Sequence, residues 1–136
     1  MGFLLDTNVV SELRKRDRHD ARVRAWFDQH RDDEFWLSVL VVGELARGVQ
    51  LIARRDAPAA EALRAWLDSV TTEFADRILP VTMPISLRWA ALCVPDPLPV
   101  IDGLLAATAL EHGLTLVTRN VADVARSGVP FVNPFD

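Results

Sequence analysis

One cysteine, Cys93, and one lysine, Lys15, are all that this chain of 136 residues has of either type. A single thiol excludes a disulfide framework and a cysteine-rich zinc site, and it fits a reducing cytoplasm. The three histidines, His19, His30 and His112, are scattered, with no metal-ligand spacing. No apolar stretch approaches the ~18–20 residues of a membrane span, so no membrane partner is expected. Asp6 interrupts the apolar start, and no basic segment precedes it, which excludes the pattern of a signal peptide. No G-x-G-x-x-G occurs. Gly43 to Gly48 has the glycine spacing of a phosphate loop, but Val49 stands where the lysine belongs. No serine has a nucleophile-elbow setting. There is no internal repeat and no low-complexity tract, so residues 1–136 read as one domain.

The chain is 50% hydrophobic and 25% charged, enough to fill one core. Its net charge of −4 does not mark a nucleic-acid binder. The charge is uneven, however. Arg14, Lys15, Arg16, Arg18, Arg22, Arg24 and Arg31 outnumber Glu12, Asp17, Asp20 and Asp28 by three. Arg47, Arg54 and Arg55 add cations further on. These read either as solvated helical faces or as a rim that steers phosphates.

Apolar runs alternate with helical periodicity. Residues 2–5, 35–37, 78–81, 114–117 and 129–132 read as strands. Pro80 places the third of these at a sheet edge. Helices are expected over 8–15, 20–30, from Ser38 to 54, from Pro58 to 74, from Pro84 to 93, and from Asp102 to a stop at Gly113. The proline-rich segment 94–99 reads as a stiff loop. Strands that alternate with helices predict a parallel α/β sheet with helices on both faces. Ligands of such sheets bind beyond the carboxyl ends of the strands, near a topological switch.

Four acids sit beside apolar runs: Asp6, Glu44, Asp102 and Asp123. Each has a plain structural reading. Asp6 and Asp102 suit helix N-caps, Glu44 suits a pair with Arg47, and Asp123 suits a solvated short helix. Asn120, Thr118 and Ser38 suit caps or turns. The tryptophans, Trp26, Trp36, Trp66 and Trp89, suit core or interface. If the fold gathers the acids, the reading changes. Two ionised carboxylates ~5 Å apart repel by roughly 3 kcal/mol at an effective dielectric of ~20. Only a cation makes four of them tolerable.

Taken in order, Leu5-Asp6-Thr7-Asn8, Ser38 with Glu44, Val100-Ile101-Asp102-Gly103-Leu104-Leu105-Ala106-Ala107-Thr108-Ala109 and Val117-Thr118-Arg119-Asn120-Val121-Ala122-Asp123 resemble the PIN-domain family. The likeness is strongest to the VapC-type toxin ribonucleases of bacterial toxin–antitoxin pairs, and it covers nearly the whole chain. Val124 stands where the family often has an aromatic residue. The resemblance implies one PIN-like domain with a five-stranded parallel sheet flanked by helices. It implies metal-dependent hydrolysis of RNA, with Mg²⁺ or Mn²⁺ on Asp6 and Asp102 and with Glu44 and Asp123 completing the acidic cluster. Arg14, Lys15, Arg47 and Arg119 become phosphate contacts on this reading. A small antitoxin and a homodimer are the implied partners. Two alternatives stay open: a PIN-fold module that binds RNA or protein without cleaving, and a phosphatase of the haloacid dehalogenase type. The latter's second aspartate is Asn8 here, and Lys15 lies too early to be its lysine.

Overall fold

The computed structural model describes residues 1–15 and 20–136, so Arg16, Asp17, Arg18 and His19 lie outside the described residues. Five strands form one parallel sheet: β1 (Gly2–Leu5), β2 (Glu34–Ser38), β3 (Ile78–Leu79), β4 (Thr115–Val117) and β5 (Phe131–Val132). Helices α1 (Thr7–Leu13), α2 (Ala21–Gln29), α3 (Val39–Ala53), α4 (Ala57–Glu73), α5 (Met83–Leu92), α6 (Val100–His112) and α7 (Val121–Val124) connect them, with a 3₁₀ turn over Ala125–Ser127. The expected α/β architecture with a five-stranded parallel sheet is what the chain adopts.

Strand order is β3-β2-β1-β4-β5. The central strand explains its own sequence: Phe3, Leu4 and Leu5 are all buried, as a parallel strand covered on both faces requires. The chain first winds outward through β2 to β3. It then crosses back through α5 and α6 to place β4 against β1, with Leu5 level with Val117. The topological switch therefore lies between the carboxyl ends of β1 and β4. Edge strand β3 stops at Leu79, because Pro80 has no N–H for the ladder.

Local chemistry sets the boundaries. The Ser38 hydroxyl accepts from Leu40 N at 3.0 Å and caps α3. Asp56 and Asp20 cap α4 and α2 in the same way. One expectation is corrected: Asp102 does not start its helix. Pro99, with φ −50°, is the N-cap, and its carbonyl accepts from Gly103 N at 2.8 Å to close the first turn. Asp102 is the third helical residue. Phe3, Trp26, Phe27, His30 and Phe35 form an aromatic cluster that seats α2 on β1 and β2. Among the described residues, no helix is long and apolar enough to cross a membrane.

Gly113 ends α6 in the left-handed region, at φ 65°. A Cβ would meet no atom there, so only backbone strain opposes one. Gly113→Ala is expected to lower stability by roughly 1–2 kcal/mol, read from the urea midpoint.

Candidate metal centre at the switch point

Asp6 follows β1 directly and is 4% exposed. Its Oδ1 accepts from Thr7 N at 2.7 Å, which caps α1. Its Oδ2 accepts from the Thr118 hydroxyl, also at 2.7 Å, across the switch point. Burial raises the Asp6 pKa, and the bonds from Thr118 and Thr7 oppose that rise. The cap expected from sequence is real, and it occupies only one of the two oxygens.

Thr118 is fully buried at the end of β4 and belongs to both loops. Its hydroxyl also accepts from Asn120 N at 3.0 Å, which turns the chain into α7. Asn120 is the residue before that helix, but its side chain makes no capping bond. The Leu-Asp-Thr-Asn segment thus works residue by residue. Asp6 supplies the carboxylate. The Thr7 hydroxyl donates to Glu44 Oε1 at 2.5 Å. Asn8 Oδ1 accepts from Arg119 N at 3.3 Å. Glu44, half-buried on α3, is therefore held from α1, and its expected tie to Arg47 is not among its described bonds.

Asp102 completes the picture from the first turn of α6. Its pKa is pushed up to about 6, chiefly by burial and then by the charges of Asp6, Asp123 and Glu44. The nearness of Asp123, which is exposed on α7, adds further to the rise. Asp102 therefore lies within electrostatic reach of the other three acids expected from sequence, and Asp6 within reach of Glu44. The four come from the β1–α1 junction, α3, α6 and α7, at the carboxyl end of the sheet. Among the described residues, no three His, Cys, Asp or Glu side chains are closed into a ready ligand set. The donors are all oxygen, the chemistry preferred by Mg²⁺ and Mn²⁺. The residues fit such an ion.

The cations divide into two groups. Lys15 is taken up by Glu12 at 2.8 Å, Arg22 by Asp20 and Arg31 by Asp28. Arg14, Arg47 and Arg119 are exposed, and the Arg119 guanidinium lies 4.4 Å over the Phe135 ring. Glu12 itself escaped the sequence reading, which counted it only as a charge. It is 7% exposed and accepts from Asp20 N at 2.7 Å, tying the end of α1 to the start of α2. The bond from the Lys15 ammonium holds its carboxyl below the usual range. Thr7 was the other miss, because a partner 37 residues away leaves no local signal.

The Asp102 shift fixes a sign for stability. The folded chain holds this proton more tightly than the unfolded chain, whose value is near 3.8. Its contribution to stability is complete below 3.8 and is lost as pH rises through about 6. In metal-free buffer, Asp102→Asn is expected to match the parent's melting temperature at the acid end of that window and to equal or exceed it at neutral pH. Added Mg²⁺ is expected to raise the parent's melting temperature more than the variant's. A strong loss of metal-free stability in Asp102→Asn would mark this carboxylate as a helix-terminus group instead.

Comparison with known proteins identifies the family. The family model described as "PIN domain" matches residues 3–124. Toxin FitB of Neisseria gonorrhoeae is 35% identical, with 98% of each chain covered. A VapC ribonuclease of Sinorhizobium fredii is 30% identical, again over 98% of each. A chain in the crystal structure of FitAcB from Neisseria gonorrhoeae superposes with a TM-score of 0.84 at 34% identity, over 98% of both chains. With a family model matching residues 3–124 and relatives matching over nearly their full length, the chain belongs to the PIN-domain family.

Proposed function

We propose that this protein is a metal-dependent endoribonuclease and the toxin of a toxin–antitoxin pair. The observation that carries the reading is the convergence of Asp6, Glu44, Asp102 and Asp123 at the switch point, where Asp102 feels the charge of the other three. Full-length similarity to a toxin and to a VapC ribonuclease supports it.

Asp6 and Asp102 would hold Mg²⁺ or Mn²⁺. When bound, the ion supplies Lewis acidity: it eases loss of a proton from water and offsets charge developing on the phosphate. The chain's own residues do the positioning. Thr118 and the Thr7 N–H orient Asp6, each bonding one of its two carboxylate oxygens. The Thr7 hydroxyl fixes Glu44, and Asp123 sets the exposed rim. Arg119, whose backbone is pinned by Asn8, is placed to meet a substrate phosphate, with Arg14 and Arg47 as further contacts. Lys15 is the weakest of the four cations in this role, because Glu12 already neutralises it.

Two surfaces suit the implied partners. Adjoining hollows of about 220 and 310 Å³ share Arg14, Leu63 and Trp66 and run from Glu44 and Thr7 along α3 and α4. This groove, polar at the acids and apolar at Trp66, suits an antitoxin segment that places a basic side chain among the carboxylates. Helix α5 suits a homodimer. Ile85, Trp89 and Leu92 face inward, yet Met83 and Leu87 are 76% and 65% exposed, and Val94, just past the helix, is 74% exposed. Large apolar side chains exposed together mark an interaction surface.

Purified protein is expected to cleave RNA only with Mg²⁺ or Mn²⁺, and Asp6→Asn should lower the rate at least a hundredfold. In cells, expression of the chain alone should arrest growth, and Asp6→Ala or the cognate antitoxin should relieve the arrest. Arrest unaffected by Asp6→Ala, with no metal-dependent cleavage, would favour a non-catalytic binding module. A covalent aspartyl phosphate on Asp6 would favour the phosphatase. Leu87→Glu should convert the dimer to a monomer, measured by light scattering after gel filtration. A Leu87→Glu dimer would place the interface elsewhere.

A further inference from the structure

Gly103 follows Asp102 in the first turn of α6 and is buried. Glycine is a poor helix former relative to alanine, so its place there asks for a reason. The reason is Trp89 on α5. A Cβ at position 103 would stand 3.1 Å from the indole Cδ1, 3.2 Å from Nε1, and 3.4 Å from Leu98 Cβ. The indole lies against bare backbone, and Leu98, 5% exposed, walls in the other side. The same indole carries a second local cost. Its Nε1–H is buried without a hydrogen-bond partner among the described residues.

Two unfavourable features thus meet at one contact, one residue from an acid of the cluster. Local rules are broken in this way where position matters more than local stability. We propose that Trp89 and Gly103 are a positioning pair for Asp102. The bare backbone at 103 lets α6 approach α5 closely, and the rigid indole stops that approach at a fixed distance. The contact thereby sets where the Asp102 carboxylate stands relative to Asp6. Neither Trp89 nor Gly103 touches the ion or the substrate; both act through Asp102. A methyl at 103 would drive the indole and the first turn apart and carry Asp102 with it.

The inference rests on the reading that Asp102 holds the metal, and the experiment separates the two. Mn²⁺ affinity of the full-length protein is measured by titration calorimetry, with folding checked by circular dichroism. Asp102→Asn comes first; affinity equal to the parent's would overturn the metal reading and this inference with it. If Asp102→Asn weakens binding, Gly103→Ala is expected to weaken it about tenfold, the lower end of the effect of outer partners on metal sites. Trp89→Leu should weaken binding to a similar degree. Gly103→Ala combined with Trp89→Leu should recover most of the loss, because the smaller side chain makes room for the methyl. A merely structural contact would lower the melting temperature and leave the affinity of the folded protein unchanged. Parent-like affinity in folded Gly103→Ala would overturn the proposal. Should Gly103→Ala fail to fold, parent-like affinity in Trp89→Leu would overturn it equally.

Discussion

Like charges gathered at one end of the sheet set the terms for this molecule. Asp6, Glu44, Asp102 and Asp123 reach the carboxyl end of the sheet from four different places in the chain, and burial together with their charges raises the pKa of Asp102. Local folding favours single members, such as the Asp6 cap of α1, but not their gathering. It is held because each acid stands on an element that the core fixes for other reasons. Asp6 follows the most buried strand, and Asp102 rides on α6, where every residue from Leu105 to Ala109 is buried. The hydrophobic core thus imposes the positions, and the repulsion is what remains for a cation to relieve.

Around the acids lies a ring of hydroxyl and amide groups that carry no charge. Thr118 joins Asp6 to Asn120, Thr7 joins Asp6 to Glu44, and Asn8 joins α1 to the loop after β4. These bonds orient carboxylates without neutralising them. A site filled with lysine or arginine would be more stable alone and would have no use for a divalent ion. The exposed cations, Arg14, Arg47 and Arg119, are not among the described partners of the four acids. That division suits an acidic centre with a basic approach for a phosphodiester chain.

Much of this was legible in the order of residues. The run Phe3-Leu4-Leu5 reads as a central strand because a parallel strand is buried on both faces. Pro80 marks an edge strand because it lacks an N–H. The four acids stand out because apolar neighbours make a charge conspicuous. Asp102 was misplaced as a helix cap, since the sequence signal of an Asp before an apolar run outweighed that of Pro99, whose φ of −50° starts the helix earlier. The bond from Thr7 to Glu44, the burial of Glu12 and the seating of Trp89 on Gly103 left no signal at all. Each depends on elements distant in sequence meeting at a particular depth, and periodicity carries no information about depth.

The central claim is that the four carboxylates share one cation site. The most direct test is anomalous diffraction from crystals of the protein soaked in Mn²⁺. The account predicts one or two manganese peaks coordinated by Asp6 and Asp102, with Glu44 and Asp123 drawn toward them and the peaks lost in Asp6→Asn. Manganese bound elsewhere on the surface, with none at Asp6 and Asp102, would contradict it.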